Sequence, residues 1–229
     1  MVIFLGAGQF ARADDIPRVC TERGDTSLGA AGREKLYWKK DTLRVFFIDG
    51  ADFQIEKVKS LAVEWSKYAN IKFEFGGDQK TSDIRVSFKS GSSWSYVGTI
   101  AEMHKGQTTM NFGWLDENTT DLEFQRVIFH EFGHALGLVH EHLSPAAKIK
   151  WNEAVVIKYY EDNFDWTVNA IRKNIFDKYK ETEVNHTEYD PDSIMHYHVE
   201  AAWTTDSFSV PWNTSLSALD KSFIKKMYP

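Results

Sequence analysis

The run His130-Glu-Phe-Gly-His-Ala-Leu-Gly-Leu-Val-His140 constrains this chain more than any other feature. Thr120-Asp-Leu-Glu123 matches a capping box, and the apolar Val127-Ile-Phe129 behind it carries a helix into the run. On that helix His130 and His134 are four residues apart and point from one face, so their imidazoles can reach a single zinc ion at about 2.0–2.1 Å. Gly137 follows three residues later, where a residue tolerant of positive φ ends the helix and turns the chain, delivering His140. Three neutral imidazoles leave the dication one open coordination position, as in catalytic rather than structural zinc sites. Five fixed positions meet by accident in a chain this long with odds on the order of one in ten thousand.

Glu131 shares the groove. A bound dication lowers the pKa of water toward about 7, and a neighbouring carboxylate can take its proton and return it to a leaving amine. The expected reaction is zinc-assisted hydrolysis of a peptide bond, with Glu131 as general base and acid and no covalent intermediate.

The rest of the chain supplies a scaffold. Its 229 residues, 42% apolar, suffice for one large domain, and a net charge of −6 argues against a nucleic-acid footprint. No run reaches the roughly 18 apolar residues of a membrane span. The opening MVIFLGAGQFARADD is too brief in its apolar part, and too poor in preceding positive charge, for a signal peptide. Leu43–Ile48 reads as a strand, and Asp52–Asn70 as a helix with Asp52 as its cap. Ile71, Phe73 and Phe75, then Ile84, Val86 and Phe88, alternate with polar residues as half-buried strands do, and Thr109–Phe112 is a further strand candidate. This order predicts an α+β fold, a mixed sheet with helices packed on it. The small, flexible Gly24–Arg33 reads as a linker.

These residues resemble the metzincin clan, and His140-Glu-His-Leu-Ser-Pro145 resembles the astacin family in particular. Ser193-Ile-Met-His-Tyr197 matches that family's Met-turn. Trp94-Ser-Tyr-Val-Gly98, Gln107 and the terminal Leu216–Tyr228 also resemble it, so the likeness covers about residues 36 to 229. The resemblance implies a zinc cleft between two halves. The N-terminal half holds a twisted mixed sheet plus helices; the C-terminal half is irregular, with the Met-turn and a terminal helix. It implies His130, His134 and His140 as ligands of one Zn2+, Glu131 as base, Met195 as an apolar floor, and Tyr197 as a mobile fifth ligand that can stabilise the oxyanion. Glu141 would orient a new amino terminus made on activation. An edge strand near Ser95 to Ala101 would take extended protein or peptide substrates by strand addition. No Lys or Arg lies between Met195 and Asp220, which predicts a pocket lined by groups such as Trp203 and Phe208 that favours neutral or apolar side chains.

Family members commonly carry disulfides, whereas Cys20 is the single cysteine here and precedes the linker. A thiolate binds zinc at about 2.3 Å. Residues 1–33 are therefore expected to form a pro-segment whose Cys20 occupies the open zinc position until an activating protease cuts the linker, freeing the catalytic domain, 34–229. Asp25, in Gly24-Asp25, is the competing blocker. Secretion and extracellular structural proteins as substrates are expected. The alternative is a non-catalytic, zinc-dependent protein-binding module on the same fold, against which an intact Glu131 argues.

Overall fold

The computed structural model describes residues 20–23, 36–182 and 184–229. The linker and Asp25 lie outside the described residues. Six strands form one sheet: β1 (Cys20–Arg23), β2 (Thr42–Phe47), β3 (Lys72–Phe75), β4 (Ile84–Ser87), β5 (Ser93–Tyr96) and β6 (Met110–Asn111), in the spatial order β1-β5-β6-β4-β2-β3. β5 runs antiparallel to β6, and the other pairings are parallel. The mixed sheet is thus the expected one, with two corrections at its edge. β5 is shorter than predicted, because Gly98–His104 turns into a 3-10 segment. Nor is β5 an open edge: β1 pairs along it in parallel register, from Cys20 opposite Ser93 to Arg23 opposite Tyr96.

The period-two reading of β4 also needs correcting, since all four residues are buried. Arg85, read as solvent-facing, is 1% exposed. Its guanidinium donates to the backbone carbonyls of Ser82, Ala101, His104 and Gln107, so its charge is satisfied without a carboxylate.

Two helices pack on the sheet, α1 (Asp52–Ala62) and α2 (Asp121–Ala135). α1 stops short of the predicted Asn70, giving way to a tighter turn at Trp65–Lys67. Its cap is Ala51 rather than Asp52, and the Ala51 N–H donates to Gln54 Oε1 at 2.8 Å. The first core, with Leu43, Val45, Val58, Trp65, Val86, Ile128 and Phe132, fills the space between sheet and helices.

Beyond α2 the chain has little sheet: α3 (Glu153–Phe164), the short α4 (Val168–Ile171), two isolated bridges and α5 (Ala218–Met227). A second core gathers Val156, Tyr160, Ile171, Ile175, Tyr197 and Trp203. α5 returns to the first core through Ile224. No helix among the described residues is long and apolar enough to cross a membrane.

Candidate metal centre

Two of the candidate zinc ligands, His130 and His134, stand on a helix held at both ends. Thr120 caps α2, its hydroxyl accepting from the Glu123 N–H at 3.3 Å, but the Glu123 carboxylate does not complete the box. It binds Trp114 Nε1 and Arg126 instead. At the other end Gly137, at φ +100°, closes the helix with a paired turn. Its N–H donates to His134 O at 2.8 Å and the Leu138 N–H to Gly133 O at 3.0 Å. Aromatic donors pin the helix carbonyls: Trp65 Nε1 on Phe129, Trp38 Nε1 on Ala135 and the Tyr228 hydroxyl on Leu136.

His130, His134 and His140 are each at most 3% exposed and bring their ligand atoms within 4.8 Å of one another. His130 Nδ1 donates to Ile194 O at 2.8 Å and His134 Nδ1 to Leu138 O at 2.9 Å, which fixes both tautomers with bare Nε2 lone pairs. Nε2 of His134 lies 3.1 Å from Nε2 of both His130 and His140. Unprotonated nitrogens at that separation repel unless a cation lies among them, and tetrahedral zinc places its nitrogens about 3.4 Å apart. Burial, reinforced by the neighbouring His134, holds His130 and His140 well below the usual imidazole range, so both are neutral. The donor set fits one zinc ion.

Glu131 is fully buried, and neither carboxylate oxygen meets a hydrogen-bond partner of good geometry among the described residues. Burial pushes it up to about 8, opposed by the Cys20 thiol and the Arg126 charge. Its neighbour Cys20, 3% exposed, forms a second potential ligand group with His130 and Glu131 rather than with all three imidazoles. Burial and then the Glu131 charge drive the thiol well upward. A dication at this point reverses the cost of ionising both groups.

The Met-turn supports the centre from beneath. Ile194 O orients His130, and Met195 O accepts from the Glu141 N–H at 3.0 Å. Asp220, in the first turn of α5, accepts from Ser193 Oγ at 2.7 Å and from the Ile194 N–H at 2.8 Å, clamping the turn. The Met195 thioether sits against Gly133, where any Cβ would collide with it. Tyr197, 9% exposed, donates its hydroxyl to the Cys20 carbonyl. Burial raises Glu141 to about 8; its Oε1 accepts from the Asp190 N–H, and it lines a pocket with Tyr37, Tyr179, Asp190 and Phe223.

Two features escaped sequence reasoning. Trp203, 8% exposed, packs into the second core against Tyr159. The ring beside the zinc helix is Trp212, lying 4.5 Å from the Arg126 guanidinium. Arg126 stands one turn before His130, a spacing that places both on one face of α2.

A two-core fold with three convergent imidazoles over a methionine turn defines the metzincin class of zinc metallopeptidase. The model of the Astacin peptidase family matches residues 31–228, and the chain belongs to that family. It is similar to the solved structure of myroilysin, with 42% identity, TM-score 0.82, and 85% of this chain and 96% of that one covered. Over 175 residues it is 28% identical to zinc metalloproteinase nas-38 of Caenorhabditis elegans, a match covering 72% of this chain but 21% of the worm protein, so the chain spans about a fifth of that relative's length. High choriolytic enzyme 1, described as a hatching enzyme zinc-protease from the medaka fish Oryzias latipes, shares the fold at 17% identity and TM-score 0.57, covering 83% of this chain and 93% of its own.

Proposed function

We propose that this chain is a zinc metalloendopeptidase made in latent form and secreted, cutting extended protein or peptide substrates. The observation that carries the reading is the convergence of three buried imidazoles at one point, His130 and His140 held neutral by burial, with a buried carboxylate, Glu131, beside them. His130, His134 and His140 hold the metal, which supplies charge to polarise a peptide carbonyl and acidify water. Glu131 takes the proton from the attacking water and passes one to the leaving amine. Tyr197 donates its hydroxyl to the developing oxyanion, an interaction that strengthens as charge accumulates there.

Residues 1–33 act as the pro-segment, and Cys20 is its blocking ligand. Two facts favour it over Asp25: the thiol lies beside His130 and Glu131, and β1 occupies the strand edge on which an extended substrate can pair. Tyr197 is held in the same latent contact by the Cys20 carbonyl. An activating protease cuts within 24–33, and the new amino terminus settles in the pocket bounded by Tyr37 and Glu141. Beside the scissile bond, neutral or apolar side chains are preferred. Arg126 does not alter this, because two hydrogen bonds to Glu123 at 2.8 Å neutralise its charge.

Glu131→Ala tests the catalytic assignment. After limited proteolysis, the variant should keep its zinc but lose activity on an unstructured protein by about 10²–10⁴-fold. A binding module without turnover predicts no cleavage in the parent chain, and retention of full activity by the variant would remove Glu131 from the mechanism.

A further inference from the structure

The helical turn Glu141–Leu143 follows directly on His140 and carries His142, a side chain that the proposed chemistry leaves unused. It is 1% exposed. Its Nε2 lies 2.9 Å from the carbonyl of Asn174, so in the neutral ring Nε2–H donates and Nδ1 is an acceptor. Nδ1 is buried and meets no hydrogen-bond partner among the described residues. Burying an imidazole with half of its polar capacity unmet costs stability, and an apolar ring of similar shape would avoid that cost. Packing alone therefore does not account for a histidine here.

The ring's surroundings suggest a different task. It lies nearly flat on the phenol of Tyr197, with centroids 4.4 Å apart and planes 24° from parallel. On the metal side His140 approaches the same phenol, also at 4.4 Å but tilted by 58°. Tyr197 is therefore bounded by a ligand ring and by a ring tied to the turn at Arg172–Phe176. A stacked neighbour resists rotation of an aromatic ring out of its plane and permits motion within it. The hydrogen bond to Asn174 sets the orientation of the His142 plane, a constraint that a phenyl ring in its place would lack.

We propose that His142 is a positioning residue for Tyr197: anchored on the Asn174 carbonyl, it confines the phenol to one plane. Within that plane the hydroxyl that donates to the Cys20 carbonyl in the latent chain reaches the substrate's carbonyl oxygen once β1 has left. The inference rests on the reading of Tyr197 as oxyanion donor.

A double-mutant cycle tests it on the full chain activated by limited proteolysis, using Tyr197→Phe, His142→Leu and both together, with His142→Phe as the conservative variant. Zinc content and melting temperature are read beside kcat and KM. His142→Leu should lower kcat by at least about tenfold, the cost expected of a displaced catalytic group, with KM and zinc content little changed. His142→Phe, which keeps a flat ring but loses the Asn174 anchor, should recover only part of the loss. The double variant should be no slower than Tyr197→Phe alone, because the two act through one group. Multiplying losses in the double variant, or a His142→Phe as fast as the parent chain, would overturn the proposal and leave the role of Tyr197 standing. An unchanged kcat in Tyr197→Phe would overturn that role, and this proposal with it. Should His142→Leu not fold, His142→Met replaces it in the same cycle.

Discussion

At the scale of single residues, the convergence of the three candidate ligands was legible because their geometry is local. A spacing of four on a helix and a glycine turn suffice to place His130, His134 and His140. Partners contributed from far along the chain were not legible. Nothing near Arg126 in sequence announces Trp212, and nothing near Arg85 announces the four carbonyls that surround it. The Arg126–Glu123 pair makes a direct prediction: a peptide library cleaved by the activated chain should show neutral or apolar residues next to the scissile bond. Dominant selection of Asp or Glu there would mean that Arg126 acts as a free cation. His196 makes a second prediction. Tyr189 donates to its Nε2 at 2.7 Å and its Nδ1 donates to Tyr197 O at 2.6 Å, so both nitrogens serve the neutral ring, and burial lowers it to about 4. The unfolded histidine takes up its proton near pH 6.5 while the folded one does not, so its stabilising contribution is lost as pH falls from there toward 4. The stability gap between the parent chain and His196→Gln, measured by denaturant unfolding, should narrow by about 2 kcal/mol from pH 7 to pH 5. A gap independent of pH would contradict the assignment.

At the scale of elements, long periodic segments read well and short ones poorly. α2 begins at its predicted cap, and β2, β3 and β6 lie within a residue or two of their predicted positions. α1 ends early, and the segment after Val97 tightens into a 3-10 turn, because tertiary contacts rather than periodicity decide where such elements stop. β1 is four residues long, and its pairing with β5 is a fact about distant neighbours that no local pattern encodes. The joint between α2 and the Met-turn offers a test at this scale. Alanine normally stabilises a helix interior over glycine by about 1 kcal/mol. At Gly133 a Cβ would collide with the Met195 sulfur and press on the Trp65 ring at 3.3 Å. Gly133→Ala should therefore destabilise the chain by about 1–3 kcal/mol in denaturant titration, the cost of overpacking a filled core. A variant as stable as the parent would show that the methionine floor yields freely.

At the scale of the whole molecule, two cores meet around one buried centre. α2 brings two imidazoles from the first core, Tyr197 belongs to the second, and Asp220 of α5 ties the Met-turn that lies beneath them. Across that centre lies β1, ending the sheet where a substrate strand can pair and placing Cys20 beside His130 and Glu131. The family's architecture was legible from its motifs, but the amino-terminal strand's course along β5 was not, since it depends on long-range pairing. The central claim is that three imidazoles hold one catalytic zinc whose remaining position passes from the Cys20 thiolate to water when the amino-terminal segment is removed. X-ray absorption at the zinc edge, recorded on the full chain and again after limited proteolysis, tests this most directly. The full chain should show one sulfur at about 2.3 Å with three nitrogens at about 2.0–2.1 Å, and the cleaved, active protein should have lost the sulfur and gained an oxygen. A full chain without zinc-bound sulfur, or an active protein that retains it, would contradict the account.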